Sequence, residues 1–226
     1  MSPSSTEPSR FALSFIIPTY NRYPALQRLL RSLRAAGAWS PPTEVIVVDD
    51  GSSDATTTLQ SDATMRVLRQ ANAGPAAARN RGAEEAKGSH LVFIDDDCQL
   101  AEDYLTVARR EAVERQGQVF GGPALPMDSV KPTLAGRYLR ANRLLQDPIA
   151  DIEGRIMCLA SANLVIQREL FIEVGGFWEG IRKAGGEDTH LTLRLRQRRV
   201  PARFVHQLRV YHDVDISLGD LWRKYY

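Results

Sequence analysis

Residues 91–97 read Leu-Val-Phe-Ile-Asp-Asp-Asp, an apolar run that ends directly in three carboxylates. Such a run predicts a strand that is buried on both faces of a sheet. Three similar runs precede it, at residues 13–17, 45–48 and 65–68, and helical patterns lie between them. Continuously apolar strands that alternate with amphipathic helices are typical of βαβ units. We therefore predict an α/β fold with a mostly parallel central sheet and helices on both faces.

Proline and glycine mark the ends of the predicted elements. Pro18 is expected to stop the first strand, because proline has no amide hydrogen for the ladder. Pro24 and Pro75 each open a helix. The second is predicted over residues 76–85, and we expect Gly88 to close it.

The carboxyl ends of these strands should meet on one edge of the sheet. Right-handed crossovers place all four ends together, and in open α/β sheets that edge binds the ligand. Most of the unusual polar residues of the chain lie in the segments that follow the strands, at residues 18–22, 49–54, 69–74 and 95–97. We therefore expect a single polar crevice.

The second half of the chain is less regular, and its patterns predict a mixed sheet edge with a further layer above it. Helical patterns lie at residues 102–115, 134–145 and 187–198, and extended patterns at 119–122 and 157–166. We find no internal repeat and no long linker. The prediction is a disordered tail at residues 1–10 and one domain at 11–226, with halves at 11–100 and 101–226.

Composition places the chain among ordinary globular proteins. Of its 226 residues 43% are hydrophobic and 25% charged, which argues against disordered, collagen-like and coiled-coil classes. The net charge of +2 is too small to produce a strong overall electrostatic attraction to nucleic acid. Cys98 and Cys158 are expected to be free thiols, and the polar N-terminus does not resemble a signal peptide. We expect a cytoplasmic protein without a nucleic-acid partner.

The acidic triplet after the fourth strand predicts a metal site. Adjacent carboxylates repel one another, and beside an apolar sheet their charge is costly unless a cation neutralises it. We interpret Asp95, Asp96 and Asp97 as a site for Mg²⁺ or Mn²⁺, with water and phosphate oxygens as the remaining ligands. A solvated acidic turn is the alternative, which the position on the ligand edge disfavours.

Two further residues at this edge are candidates for contact with a nucleotide. Ser53 or Asp54 can cap the helix after the second strand, which leaves Asp50 free to accept hydrogen bonds, for example from a base. Arg79 lies early in a helix that begins with small residues, where it could face a phosphate. An ordinary surface position is an equal alternative for Arg79.

The motifs resemble, in order and spacing, those of family 2 glycosyltransferases with the GT-A fold. The nucleotide-sugar half is matched by Phe15-Ile-Ile-Pro-Thr-Tyr-Asn-Arg22, Val45-Ile-Val-Val-Asp-Asp-Gly-Ser-Ser-Asp54, Asn72-x-Gly74 with Arg79-Asn80-x-Gly82, and Phe93-Ile-Asp-Asp-Asp97. The acceptor half is matched by Ser161-Ala-Asn163, Gly175-Gly-Phe177, Gly185-Gly-Glu-Asp188 and Val210-Tyr-His212. The resemblance covers residues 11–226 and implies a GT-A-type α/β/α sandwich, with a Rossmann-like nucleotide-binding half and an acceptor-binding half.

The resemblance also implies a donor site. Its residues would be Pro18, Thr19, Tyr20, Arg22, Asp50, Asn72, Gly74, Arg79, Asp95 and Asp96. Within this set Thr19 and Asp50 would form the base pocket, Asp95 or Asp96 would contact the ribose, and Arg79 would stabilise the leaving group.

Metal, catalytic and acceptor residues follow from the same resemblance. Asp97 would bind the Mn²⁺ or Mg²⁺ that bridges the diphosphate, and His212 is either a further contact to metal or phosphate or an ordinary core histidine. Asp188 would be the catalytic base, with Glu187 as its competitor. The acceptor region would include Ser161, Asn163 and Gly186.

The implied activity is transfer of a single hexose, from a UDP-sugar in the first instance, to a hydroxyl of a saccharide or lipid-linked acceptor with inversion. The Gln-x-x-Arg-Trp signature of processive synthases is absent, which favours transfer of one sugar. The basic and aromatic end at residues 222–226 could contact a membrane, so we expect the protein at the inner face of the membrane.

Other classes of protein fit the sequence less well. A phosphohydrolase of the Asp-nucleophile type would carry its Asp-x-Asp motif near the first strand, and a dehydrogenase would carry G-x-G-x-x-G, which is missing. A nucleotidyltransferase would show a Gly-rich loop after the first strand, where this chain has Pro18-Thr-Tyr-Asn21. The non-enzymatic alternative is a nucleotide-sugar-binding module, against which Asp97 and Asp188 together argue.

Overall fold

The computed structural model describes residues 12–114, 118–128, 131–142, 146–180, 185–215 and 217–219. The tail predicted at residues 1–10 and the membrane-contact end predicted at residues 222–226 lie outside these ranges. The strands are β1 (Leu13–Thr19), β2 (Thr43–Asp49), β3 (Met65–Arg69), β4 (His90–Ile94), β5 (Cys98–Leu100), β6 (Val119–Gly121), β7 (Ala124–Pro126), β8 (Ile149–Ala150), β9 (Ile156–Cys158), β10 (Asn163–Gln167), β11 (Ala202–Phe204) and β12 (Val210–His212).

The largest sheet has seven strands in the order β11-β6-β10-β4-β1-β2-β3. The four strands from the first half of the chain are mutually parallel, as predicted. Strand β10 lies antiparallel between β4 and β6, and β11 runs parallel to β6. The sheet is therefore mostly parallel, and strands from both sides of residue 100 belong to it.

Helices cover both faces of this sheet, which gives the predicted three-layer α/β/α arrangement. The α-helices of the described residues are α1 (Tyr23–Ala35), α2 (Pro75–Glu85), α3 (Tyr104–Arg109), α4 (Leu134–Ala141), α5 (Arg168–Glu173) and α6 (Glu187–Gln197), and all of them except α4 pack on this sheet. Helices α1 and α3 pack on one face with Phe15, Val45 and Val92. Helices α2, α5 and α6 pack on the other face with Ile16 and Phe93. Alternate residues of one strand thus face different layers, as strand geometry requires.

Two small sheets complete the fold and bring late segments of the chain to the ligand edge. Strand β12 lies between β5 and β7, so that it runs beside the residues that directly follow the acidic triplet. Strands β8 and β9 form a separate hairpin. Within the described ranges, no helix has the length and apolar character needed to cross a bilayer.

Two predicted boundaries and one predicted helix cap are wrong. Strand β1 continues through Pro18 to Thr19, because its pairing with β4 ends at Ile16 and Pro18 pairs with β2 alone. The predicted end of helix α2 at Glu85 is confirmed, but Ala86 caps it and not Gly88. Gly88 instead lies so close to the backbone of β1 that no side chain would fit there.

The second wrong boundary concerns the predicted helix at residues 102–115. It is a short α3 followed by a π-helical turn over Arg110–Glu114, where the helical ladder changes register. Residue 115 itself lies outside the described ranges.

Candidate active site at the carboxyl edge of the sheet

The turn after β4 is the centre of the candidate site, and arginines from two helical segments reach it. Arg79 of α2 donates from Nη2 to Asp95 at 2.6 Å. Arg22, just before α1, donates from Nη1 to Asp97 at 2.5 Å. Three segments therefore meet at the carboxyl edge of the sheet, as the topology predicts: the one after β1, the one after β4, and the first turns of α2.

Asp96 is turned inward. It is 5% exposed and accepts a hydrogen bond from the Thr19 hydroxyl at 2.7 Å, while Arg22 lies at 3.5 Å. Burial and the neighbouring Asp97 together raise the pKa of Asp96 to about 7, although Arg22 and the Thr19 hydroxyl oppose the rise. The hydrogen bond between Thr19 and Asp96 therefore fixes the end of β1 to the turn after β4. Of the two ribose candidates, Asp95 is the more open to solvent, with its side chain 30% exposed.

Asp97 and His212 meet at this edge. Strand β12 pairs with β5 so that His212 lies opposite Cys98, and His212 Nε2 is 3.2 Å from Asp97 Oδ1. One ligand atom from each of Asp97, Cys98 and His212 lies within 4.8 Å of the other two. Burial raises the pKa of the Cys98 thiol well above its usual value, so the sulfur stays protonated and is a poor ligand.

Carboxylate oxygen and imidazole nitrogen, the donors that Asp97 and His212 supply, fit a divalent ion of the Mn²⁺ type. The argument that the acidic triplet requires such an ion is only partly right, however. Arg22 and Arg79 already neutralise part of its charge. Burial lowers the pKa of Arg79, but Asp95, Asp188 and Glu187 outweigh this and raise it overall, so the guanidinium remains charged. The case for a metal rests on the convergence of Asp97 with His212.

Glu187 is committed to protein contacts. It is 3% exposed, its Oε1 accepts from Arg79 Nη1 at 3.1 Å, and its Oε2 accepts from the Gly185 amide at 2.7 Å. Since Arg79 also binds Asp95, this guanidinium links the donor half to the start of α6. Arg79 is 3% exposed and both its terminal nitrogens are engaged by carboxylates, so a surface position is excluded.

Asp188 differs from its neighbour in its contacts. It is half-buried in the first turn of α6, and its Oδ1 has no hydrogen-bond partner among the described residues. Burial, with a smaller contribution from Glu187, raises the pKa of Asp188 to about 6, and Arg79 opposes this rise. A carboxylate with a pKa just below neutrality can accept a proton at physiological pH.

Asp50 is not free, contrary to the prediction. It is buried, and its Oδ1 accepts from Gln70 Nε2 at 2.8 Å and from the Ala73 amide at 2.9 Å. Its Oδ2 accepts from the Gly74 amide at 2.9 Å, and Asn72 Nδ2 donates to its backbone oxygen at 3.0 Å. Asp50 thus holds the segment between β3 and α2. Asp54 caps the short 3-10 helix over Ala55–Thr58, one of the two predicted caps.

The remaining donor candidates surround this segment. Pro18 is buried in β1 and Tyr20 is 49% exposed just beyond it. Asn21 fixes the loop after β1, because its Oδ1 accepts from the amides of Ser53 and Asp54 at 2.7 and 3.2 Å. Gly74 adopts φ 95°, a conformation that favours glycine, immediately before α2.

The acceptor candidates do not form one surface. Ser161 is buried and hydrogen bonding to it lowers the pKa of Asp188, so it lies beside that carboxylate. Gly186 is exposed at φ 95° before α6. Asn163 is 1% exposed, accepts from the Tyr104 hydroxyl at 2.8 Å and donates to the Leu208 carbonyl at 2.6 Å, so its amide supports the core.

Some residues that matter at this edge were missed in the sequence. Gln70 and Asn21 follow β3 and β1 directly, so their place on the ligand edge was a usable signal. Cys98 directly follows Asp97, which was a usable signal as well. Asp213 gave none, because it reaches the site only through the pairing of the three-residue strands β5 and β12. The amide of Asp213 donates to the Asp97 carbonyl at 2.9 Å.

Comparisons with known proteins show the family and the fold of this chain. The model of the family described as "Glycosyl transferase family 2" matches residues 14–175. An uncharacterized glycosyltransferase of Haemophilus influenzae is 30% identical over 204 residues, which are 82% of this chain and 62% of that protein. A GalNAc(5)-diNAcBac-PP-undecaprenol beta-1,3-glucosyltransferase of Campylobacter jejuni is 32% identical over 48% of this chain and 37% of that protein. The chain thus spans less than two thirds of either relative.

Solved structures share the fold at low sequence identity. The mannosyltransferase PcManGT from Pyrobaculum calidifontis, in complex with GDP-Man and Mn²⁺, has a TM-score of 0.73 at 20% identity, over 95% of this chain and 60% of that one. S. aureus TarS 1-349, in complex with UDP-GlcNAc, has a TM-score of 0.71 at 20% identity, over 91% and 59%. The architecture is that of GT-A glycosyltransferases.

Proposed function

Because this chain belongs to glycosyl transferase family 2, we propose that it transfers one sugar from a nucleotide diphosphate sugar to an acceptor hydroxyl, with inversion and with the help of a divalent metal ion. The observation that carries the proposal is the meeting of Asp97 Oδ1 and His212 Nε2, 3.2 Å apart at the carboxyl edge of the sheet. A non-catalytic module would have no need of a second carboxylate with a raised pKa, Asp188, beside that edge.

Asp97 and His212 would hold the ion. When bound, the ion supplies positive charge to the diphosphate and so stabilises the leaving group. An imidazole ligand favours Mn²⁺ over Mg²⁺, which prefers oxygen ligands and water. The mannosyltransferase neighbour was solved with Mn²⁺, which supports the same choice.

The donor would lie along the ends of β1, β2 and β4. Thr19, Tyr20 and the segment held by Asp50 would form the base pocket, and Asp95 rather than the inward-facing Asp96 would contact the ribose. UDP-sugars are the first candidates, and GDP-sugars the second, because the two structural neighbours bind one of each.

Asp188 would act as the general base. In an inverting transfer, one carboxylate takes the proton of the acceptor hydroxyl while its oxygen attacks the anomeric carbon. The bond between that carbon and the nucleoside diphosphate breaks on the opposite face. Glu187 is less suited to this role, since both its oxygens are engaged by Arg79 and the Gly185 amide. Arg79 would hold Glu187 and Asp95 in place, and would carry positive charge close to the leaving group.

The acceptor would be a saccharide or a lipid-linked saccharide. The relative from Campylobacter jejuni carries a lipid-linked acceptor in its name, and the chain covers 37% of that protein. A lipid-linked acceptor would bring the reaction to the inner face of the membrane.

Binding and turnover test this proposal together. We expect calorimetry to detect UDP or GDP binding that Mn²⁺ strengthens by about tenfold or more, since the metal shares the phosphate charge. EDTA should reverse this gain, and Asp97→Ala should abolish it. A panel of UDP- and GDP-sugars, offered with saccharide and polyprenyl-linked acceptors, should then release nucleoside diphosphate from one donor. Equal nucleotide affinity with and without Mn²⁺ would contradict the metal assignment.

A further inference from the structure

Residues outside the metal pair fix the position of His212. Strand β12 has only three residues, and its ladder ends at His212. Strand β12 is the middle strand of its small sheet, but its ladders with β5 and β7 are each only three residues long and both end at His212. The orientation of the imidazole therefore depends on what holds the chain directly after it as well as on these ladders.

Asp215 is the anchor of that following segment. Its Oδ1 accepts from the Thr133 amide at 3.0 Å and from Arg140 Nη1 at 2.9 Å, and its Oδ2 accepts from Arg140 Nη2 at 2.7 Å. This is a bidentate arginine pair, the geometry in which such a pair is strongest. The amide of Asp215 in turn donates to Asp213 Oδ1 at 3.1 Å.

Arg140 is also linked to His212 through Met127, the residue directly after β7. Arg140 Nη2 donates to the Met127 carbonyl at 2.9 Å, and the Met127 amide donates to the His212 carbonyl at 2.9 Å. The contacts therefore form a closed loop around the metal ligand. We call this loop the clasp and define it as Met127, Arg140, Asp213 and Asp215.

Helix α4 is shaped to receive the carboxylate of the clasp. Gly136 faces Asp215 so closely that a Cβ at this position would overlap the carboxylate oxygen and crowd the Arg140 guanidinium. The outer face of α4 contributes little to holding it, since Leu134 and Tyr138 are 66% and 58% exposed. No described residue of α4 belongs to either large apolar cluster of the protein. Helix α4 is therefore held in place largely by the polar contacts of Thr133 and Arg140 to Asp215.

We propose that Arg140 and Asp215 are positioning residues for the metal site: through the clasp they hold His212 against Asp97. The inference rests on the proposed function, because it assigns His212 to the metal. Groups that orient a metal ligand typically change metal affinity by about 10–100-fold when they are removed. The loss of the clasp should therefore appear as weaker metal binding in a protein whose core is intact.

The test compares two ion pairs at opposite ends of β12. Asp215→Asn and Arg140→Gln remove the clasp, which follows the strand. Arg209→Gln removes the pair between Arg209 and Asp103, at 3.1 Å, which precedes it. Free Mn²⁺ is measured by electron paramagnetic resonance in the presence of each purified protein, and urea unfolding reports the stability of the fold.

We expect both clasp variants to bind Mn²⁺ at least tenfold more weakly than the unaltered protein, and Arg209→Gln to bind it equally well. The double variant should lose no more affinity than either single one, because both changes break the same pair. Unchanged Mn²⁺ affinity in the clasp variants overturns the inference. The variant His212→Ala separates a failure of the metal assignment from a failure of the clasp proposal. If His212→Ala binds Mn²⁺ normally, His212 is not a metal ligand, and the proposed role of the clasp fails as well. If His212→Ala loses Mn²⁺ affinity and the clasp variants do not, only the role of the clasp is refuted.

Discussion

At the residue scale, the structure distinguishes the contacts of two adjacent carboxylates, Glu187 and Asp188, which the sequence left as competitors for the role of the base. Glu187 is held by Arg79 and by the Gly185 amide, whereas Asp188 keeps a buried oxygen without a hydrogen-bond partner in the described part of the chain. We expect Asp188→Asn to slow transfer by about 10²–10⁴-fold, the usual contribution of a general base. Donor affinity should stay nearly unchanged, since an amide of the same size replaces the carboxylate.

Single-turnover transfer is the measurement that checks this expectation, and Asp151→Asn is a suitable control. Asp151 also accepts backbone hydrogen bonds, from Glu153 and Arg155, but it lies in the exposed hairpin of β8 and β9. Transfer by Asp188→Asn at the unaltered rate would assign the base elsewhere, with Glu187 the next candidate.

The pH dependence of transfer gives a second expectation at this scale. Burial raises the pKa of Asp188 to about 6, and only its deprotonated form can accept a proton. The value of kcat/KM should therefore be constant well above this pKa and fall about tenfold per pH unit below it. Asp188→Asn should remove that limb from the profile. A profile that is flat between pH 5 and 7, taken as roughly a unit either side of the pKa, would contradict the assignment.

The sequence predicted residue types at the site better than it predicted their contacts. Asp97 and His212 were paired only through the family resemblance, since their approach depends on the pairing of two three-residue strands. Such strands are too short to carry a recognisable pattern. Asn163 shows the opposite error, because an asparagine beside a strand looks the same in sequence whether it faces an acceptor or the Tyr104 hydroxyl.

At the scale of the element, the segment between β3 and α2 depends on a single side chain. Asp50 accepts hydrogen bonds from the Ala73 and Gly74 amides and from Gln70. Asp50→Ala would leave these donors without their acceptor, so we expect it to lower the free energy of unfolding by about 1–3 kcal/mol. It should also weaken nucleotide binding, because the segment borders the base pocket of the proposed donor site.

Asp62→Ala provides the matched control for Asp50. Asp62 accepts from two amides in the same way, at 2.8 and 2.7 Å, but it does so in an exposed turn before β3, at the opposite edge of the sheet. Hydrogen exchange at residues 73 and 74 should accelerate in Asp50→Ala alone. If exchange at these residues is unchanged, Asp50 does not hold the segment. The prediction from the sequence, that Asp50 is free to accept hydrogen bonds from a base, would then be favoured.

At the scale of the whole molecule, the first half of the sheet was predictable and the second half was not. Alternation of apolar strands and amphipathic helices, joined by right-handed crossovers, allows few arrangements other than the parallel order of β1 to β4. The insertion of β10 between β4 and β6 depends on pairing between distant segments, which no local pattern records. Only the family resemblance, which named the fold as a whole, carried information about it.

Arg79 is one of the side chains that join these two halves at the ligand edge. It binds Asp95 at 2.6 Å and Glu187 at 3.1 Å, and it is almost fully buried. Arg79→Met keeps much of the volume but leaves a buried carboxylate, Glu187, without its charge partner. Breaking a buried pair in this way typically costs about 3–5 kcal/mol. We therefore expect urea unfolding of Arg79→Met to show a loss of that size.

Arg66→Met serves as the control for Arg79, because Arg66 joins β3 to Glu85 of α2 through an exposed pair. Exposed pairs contribute about 0–1 kcal/mol, so its loss should be small. The double variant Arg79→Met with Glu187→Gln should recover part of the stability that Arg79→Met alone loses, since no unpaired charge then remains at that position. Equal losses in Arg79→Met and Arg66→Met would mean that the buried pair does not join the halves, and that the sheet alone holds the edge together.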